Sequence, residues 1–558
     1  MKRFARRWPL WAAPLLALAF FFILSRVTYF RYENSDDFLI VRAFLGFEGV
    51  SPSLPHFHLH PLLVWALSLF SAAVPGVAWF SVLQLALLWL SAATLCLSLL
   101  CCGRAARLHP AACLAAAALF LGVFSSFVCT RLTYTTTSAM LGAAATALLV
   151  CAGVTRRHVG AAVLFSAALV ILSGILRIAS LPASLCFWLL GLVFLFLRLS
   201  PQSDRRSLLR ALLPAAIAGV LLVGVRVWEK QTYRPFFDFH EARVELMDYH
   251  PEALENVSPE VLATLGWDAS EAELVQQWYF MDENITADAL RLIRESGQAT
   301  PSLPERIAAA GDTLISFFRD NPAYLLSLLL AAILTALVSF VCRGLPRWMA
   351  LAALGLYCAM VLYLAWGGRL LSRGVDCALL PAAGMLACLA LAGFPAGERR
   401  GVRAAALCLC ALVLLPAGLH LRQTHHTLTR RADAVSPARE ADLEAYALEN
   451  PDRLMIRTPD LLRDTRLFPD VSAGIPGNTM IWGDWACRTS GWNAQLARFG
   501  LDPGHFTAAD FCDEAILFVT ADDAPPEALL RYISHGAGRA VTAVLEGTRG
   551  ELNFFAFR

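Results

Sequence analysis

The sequence predicts an α-helical polytopic membrane protein of about eleven transmembrane helices, followed by a small α/β domain outside the membrane. Three observations carry that expectation. The 558 residues are 57% hydrophobic and only 16% charged, with a mean hydropathy of +0.56, a balance that belongs to polytopic membrane proteins. Apolar stretches long enough for a bilayer of about 30 Å recur through residues 1–421. From residue 422 to 558 the pattern changes to short helix and strand signals. The net charge is +2 and the arginines lie in short clusters between apolar segments, so no basic stripe points to nucleic acid.

The chain begins with Lys2, Arg3, Arg6 and Arg7 ahead of an apolar run from Trp8 to Val27. That run lacks a small-residue cleavage site and predicts a retained first span rather than a signal peptide. Further spans are expected near 77–101, 110–129, 138–154, 159–176, 183–199, 208–228, 322–342, 347–366, 376–394 and 402–421. Residues 61–74, opening Pro61, Leu62, Leu63, Val64, Trp65, are apolar but short for a crossing. If that piece lies along the interface, every basic cluster faces the cytoplasm: Lys2–Arg7, Arg104 with Arg107, Arg156 with Arg157, Arg198–Arg210, Arg343 with Arg347, and Arg399–Arg403. The expected topology is therefore eleven spans, N-terminus inside and C-terminus outside. It divides the chain into a membrane domain over 1–421 and an extracytoplasmic α/β domain over 422–558.

Three polar regions share the outer face in this topology: the 28–76 loop with interfacial helices, the 229–321 helical loop, and the tail. The first is the densest in chemistry. Asn34, Ser35, Asp36 and Asp37 follow the first span directly, and His56, His58 and His60 alternate just before the short helix. Adjacent carboxylates in a poorly hydrated place raise each other's pKa, which suits general acid/base work. The plain alternative is a solvated loop whose Ser35 or Asp36 caps the following helix. His56 and His60 share a face if the segment is extended, and with a carboxylate they offer a site for a divalent metal such as Mg or Mn; the plain alternative is hydrogen-bonding histidines at an interface.

The long loop carries capping-type starts at Pro259 and Ser270, and its Arg243, Asp248, Tyr249, Trp267, Trp278 and Asp282 are candidates to contact a polar ligand or to hold a small helical layer together. Arg369 and Arg373 sit outside against the general charge bias, where a guanidinium grips a phosphate head group in bidentate fashion or reaches lipid phosphates without selectivity. Arg131 and Arg177 are weaker candidates of the same kind.

In the tail, a helix near 438–449, strands at 453–457 and 515–520, a helix over 526–534 and a hairpin of 541–546 with 551–557 are expected. Gly483, Asp484 and Trp485, with Ser490 to Asn493, form an aromatic, turn-rich patch that covers a cleft or docks on the membrane domain. Thirteen of the fifteen cysteines fall in or beside apolar segments; Cys487 and Cys512 stand alone in the tail, open to a disulfide or to two free thiols.

No nucleotide motif is present and few ionisable residues occupy span centres, which argues against an ion-coupled or ATP-driven transporter. The order of a first span, then Asn34-Ser35-Asp36-Asp37, then the short helix beginning His60-Pro61-Leu62-Leu63-Val64-Trp65, resembles the GT-C superfamily of integral membrane glycosyltransferases. The chain is also similar to bacterial surface-polysaccharide membrane proteins whose long loop carries an Arg-x-x-x-x-Asp-Tyr pattern, here Arg243 to Tyr249. The resemblance implies a bacterial cytoplasmic membrane location and a polyprenyl-phosphate sugar donor. It implies a glycan, lipid or protein acceptor, an Asp36 or Asp37 general base, and Arg369 or Arg373 on the departing lipid phosphate, with His60, Arg243, Asp248 and Tyr249 at the substrate. It names neither sugar nor acceptor. Two rivals stand beside it: a flippase, carrier or assembly factor for lipid-linked sugars, and a transferase of phosphoethanolamine or acyl groups.

Overall fold

The computed structural model describes residues 2–28, 30–33, 35–47, 53–199, 202–297, 302–393, 437–462 and 466–558. These form two compact units. The first takes residues up to 33, then 82–224 and 302–393; the second takes 35–81, 225–297 and 437–558.

Among the described residues, nine helices are long and apolar enough to cross a membrane: Arg7–Val27, Trp79–Ala105, Tyr134–Thr155, Val159–Leu176, Ile178–Arg198, Arg206–Thr232, Pro322–Val341, Leu345–Trp366 and Ser372–Gly393. Each coincides with an expected span. The expected 110–129 span is helical from Pro110, but a π turn over Leu121–Ser125 interrupts it, with the Ser126 hydroxyl donating back to the Gly122 carbonyl. The expected span at 402–421 and the boundary at 421/422 lie outside the described residues. Residues 61–74 form the short helix Pro61–Ala73, with His60 as its cap and Pro61 in its first turn.

Small residues set the packing inside the first unit. The Tyr134–Thr155 helix is buried along most of its length, and a Cβ on Gly142 would strike Ser184 while one on Gly153 would strike Phe194. Its start is an expected kind of cap: Thr133 and Thr136 satisfy each other's backbone amides.

The second unit is built on a five-stranded sheet ordered Thr479–Ile481, Leu454–Arg457, Ile516–Thr520, Leu552–Phe557, Ala543–Arg549. Its first three strands are parallel and the last two antiparallel. The central strands read as continuous apolar runs because both faces are covered. Met455, Leu517, Val519 and Phe554 meet Leu443 and Ala447 of the Pro437–Glu449 helix on one face. Leu454, Ile456, Phe518 and Phe557 on the other share a core with Leu246, Leu274, Tyr279, Leu290 and Ile293 of the long loop. Long loop and tail are therefore one folded body, joined by apolar burial. The expected tail strands and helices all form; the strand Thr479–Ile481 was not expected, and the helix Ser490–Arg498 begins in the patch expected to be turns. Cys487 and Cys512 are free thiols.

Candidate active site

Four stretches of the second unit converge. The helix Ser35–Leu45 carries Asp36 and Asp37 in its first turn, where unpaired backbone amides favour negative charge. Asp36 is half-buried and Asp37 fully buried, so the pair sits on a helix rather than in a loop, with Asp37 out of solvent.

The helix Arg234–Val244 runs into a π turn over Glu245–Tyr249, a rare local shape that presents Arg243 and Asp248 from consecutive turns. Arg243 is buried; its Nη1 donates to Asp484 Oδ1 at 3.3 Å, and its guanidinium stands 5.5 Å from the Trp278 ring and 5.8 Å from that of Phe57. His240, one turn earlier, donates from Nε2 to the Cys487 carbonyl at 3.1 Å.

The third stretch is Gly483–Arg488. Asp484 and Arg488 both adopt left-handed backbone, at φ 65° and 60°, as does Trp278 beside them at φ 65°. For a bulky indole residue this is a strained conformation of about 1–3 kcal/mol, held by the surrounding structure. The hold is visible: Tyr279 bridges to Gly483, the Phe280 amide donates to the Trp482 carbonyl at 3.0 Å, and a Cβ on Gly483 would sit 1.7 Å from the Trp278 carbonyl oxygen.

The fourth is the segment His56–His60. His56 is buried with its ring 4.8 Å from that of Trp485, and His58 meets the same indole edge-on at 5.6 Å. His56 Nδ1 accepts from the amides of His58 and Leu59, both at 3.2 Å. Arg226 donates to the carbonyls of His56, Phe57 and Leu59 and pairs with Glu229, which in turn accepts from the His56 amide at 3.2 Å. The segment is thus gripped through its backbone.

Electrostatics single out Asp484. Burial pushes its carboxyl up to about 7; the Asp36 charge adds to the rise, Arg243 and the Trp485 amide oppose it, and Asp248 raises it further. Asp36 and Asp248 thus both act on Asp484, which also pairs with the buried Arg243. Burial and the Arg226 charge lower His56 to about 3, and burial with Arg243 puts His240 well below the usual imidazole range, so both rings are neutral at neutral pH. Burial raises the Cys487 thiol to about 11, which leaves it unreactive.

Beside this cluster lies a cleft, open to solvent and lined by Leu39, Ala43, His56, Ile481, Trp485 and Trp492 among others.

Other residues singled out by sequence sit elsewhere or have other work. His60 accepts from the Leu62 amide as the cap of its helix, the same arrangement His109 makes before Pro110. Tyr249 is half exposed at the end of the π turn. Among the described residues no group of three His, Cys, Asp or Glu is placed to hold a metal ion, and His56 already spends Nδ1 on two amides.

Arg369 and Arg373 belong to the first unit and are half-buried. That unit has its own polar cluster: Arg131 pairs with Glu33, the Ser372 hydroxyl donates to Glu33 at 3.1 Å, and the Tyr324 hydroxyl donates to the buried Asp376 at 3.0 Å. Arg177 donates to the Tyr134 hydroxyl at 3.1 Å. Sequence reasoning placed Asp484 only in an aromatic patch and passed over Glu33, Arg226, Glu229 and Asp376. A carboxylate within an otherwise apolar helix was the available signal for Asp376; Asp484 had none, since its surroundings come from distant segments.

No family model matches the chain, and no curated protein matches it. Among solved structures it is similar to the crystal structure of ArnT from Cupriavidus metallidurans bound to undecaprenyl phosphate. Identity is 14% over 98% of this chain and 97% of that one, with a TM-score of 0.36. At that score the two backbones diverge too far for one site to be mapped onto the other.

Proposed function

We propose that this protein is a multi-pass membrane glycosyltransferase that moves a sugar from a polyprenyl-phosphate-linked donor to a hydroxyl of an extracytoplasmic glycan, lipid or protein. The observation that carries this reading is Asp36 and Asp37 in the first turn of one helix, with Asp248 and Asp484 and the buried Arg243 in the same unit, in a chain whose described residues include nine apolar helices long enough to span a membrane. Carboxylates gathered in one place are the equipment of proton transfer.

In the proposed step the acceptor oxygen forms a bond to the anomeric carbon, and the bond from that carbon to the phosphate oxygen breaks. The hydroxyl proton passes to Asp36, and polyprenyl phosphate departs with the bonding pair. Arg369 and Arg373 are the proposed phosphate ligands, an electrostatic role that strengthens as water is excluded. Asp37, buried beside Asp36, is the alternative base. The same reading sets the second unit on the outer side of a bacterial cytoplasmic membrane, with the N-terminus inside.

Transfer of labelled sugar from polyprenyl-phosphate donors by the purified protein tests this, comparing wild type with Asp36→Asn and Asp37→Asn. Loss of the base is expected to lower turnover by about 10² to 10⁴ while the protein stays folded. The same assay with and without chelator tests whether turnover needs a divalent metal. Full transfer by both aspartate variants would end the assignment.

A further inference from the structure

The cleft beside the carboxyl cluster contains a feature that packing does not explain. His56 and Trp485 both line it, and the ring nitrogens His56 Nε2 and Trp485 Nε1 are buried with no hydrogen-bond partner among the described residues. The other polar side chains on the wall are occupied: Thr489 donates to the Ala486 carbonyl at 2.8 Å, and Ser53 pairs with Ser490. Both lone nitrogens are donors. His56 Nδ1 accepts from two backbone amides, which puts the proton of the neutral ring on Nε2, and an indole nitrogen only donates. Leaving a buried donor unmade costs about 1–3 kcal/mol each, so an arrangement with two together marks a place built for acceptor oxygens.

The rest of the wall fixes the kind of oxygen. Among the described residues no lysine or arginine lines the cleft, and Asp484, directly before Trp485, feels the charges of Asp36 and Asp248. An anion placed there finds no cationic side chain on the described wall to pair with. Leu39, Ala43 and Trp492 instead offer an apolar surface, against which the C–H face of a sugar ring packs. The two donor-bearing rings are 4.8 Å apart between centroids, within the span of a single pyranose.

We propose that this cleft is a subsite for one neutral pyranose ring, two of whose oxygens accept from His56 Nε2 and Trp485 Nε1 while its apolar face lies against Leu39, Ala43 and Trp492. The inference rests on the transferase reading for its choice of ligand class, but the site is testable by binding alone.

The test uses the full-length protein in detergent and titrates methyl glucoside, methyl galactoside and methyl xyloside, with methyl glucuronide as the charged counterpart, by calorimetry. At least one neutral pyranoside is expected to bind, and the uronate at least about tenfold more weakly. His56→Asn keeps an acceptor for the two backbone amides and removes the outward donor; Trp485→Phe keeps an aromatic ring and removes its N–H. Each is expected to weaken binding about fivefold, the share of one hydrogen bond, with the thermal melt showing that both variants are folded. Binding of no pyranoside, equal binding of the uronate, or wild-type affinity in both folded variants overturns the subsite. Binding without transfer from any donor sinks the transferase reading and leaves the subsite standing. Transfer with an unchanged KM and unchanged pyranoside affinity in both variants does the reverse. Displacement of the bound pyranoside by a short-chain prenyl-phosphate sugar assigns the ring to the donor, and failure to displace it assigns the ring to the acceptor; either result keeps the subsite.

Discussion

Asp484 shows how far a residue's chemistry depends on its surroundings. An exposed aspartate titrates near 4, whereas this one is carried to about 7 by burial and by the Asp36 charge. Because the folded-state value is raised, the stability linked to Asp484 is complete below about pH 4 and is lost as pH rises through 7. Wild-type protein is therefore expected to lose melting temperature between pH 5 and 8 relative to Asp484→Asn, whose side chain cannot ionise; parallel melting curves across that range would contradict the shift. Asp36→Asn removes a charge that raises Asp484, so the same transition is expected to move to lower pH. Gly483 makes a different demand. Its missing side chain lets the Trp278 carbonyl approach, and Gly483→Ala forces the two strained turns apart. A loss of about 3 kcal/mol is expected in denaturant melts, and a loss below about 1 kcal/mol would mean that the approach is not as close as it stands here.

Helices in the second unit are tied by buried charge as well as by apolar packing. Arg42, fully buried in the helix Ser35–Leu45, pairs with Glu440 and with Glu444, the latter at 2.8 Å, and its guanidinium stands 4.1 Å from the Phe47 ring. Both glutamates lie on the helix Pro437–Glu449, and Glu440 also pairs with Arg466. Such a network contributes little against an apolar replacement of all its members, but breaking one partner strands the others without water. Arg42→Met is thus expected to cost about 3–5 kcal/mol in denaturant melts. Arg42→Met combined with Glu440→Gln and Glu444→Gln is expected to recover much of the loss. If the triple variant is no more stable than the single one, stranded charge is not the cause. Arg226 and Glu229 do the equivalent for the histidine segment, through backbone carbonyls and an amide rather than side chains.

For the chain as a whole, topology follows from where the arginines lie between apolar runs. Nine expected spans reappear as helices of sufficient length, and the short apolar piece at 61–74 forms a helix of thirteen residues, too short to cross easily. The charge bias then predicts that the tail is extracytoplasmic. Alkaline phosphatase fused after Arg558 is expected to be active in cells, and a fluorescent protein fused there to be dark; the reverse pair of signals would invert the topology and move the proposed site to the cytoplasmic face.

What was legible in the amino-acid order is what local physics controls. Apolar periodicity located the spans, His60-Pro61 marked a helix start, and the alternating apolar runs of the tail marked its central strands and closing hairpin. Asp36 and Asp37 stood out because two carboxylates beside a membrane span are costly wherever they are placed. The strand Thr479–Ile481 was not legible, since three residues carry too little pattern and form a strand only through pairing with Leu454–Arg457. Nor was the role of Asp484: its raised pKa, its left-handed backbone and its bond to Arg243 all come from burial against segments remote in the chain. Sequence alone determined a membrane-spanning helical chain with acidic chemistry after its first span. Only the tertiary structure decided that the long loop and the tail share one core, because apolar burial joins surfaces whatever their separation along the chain, and that this core brings the third carboxyl to the first.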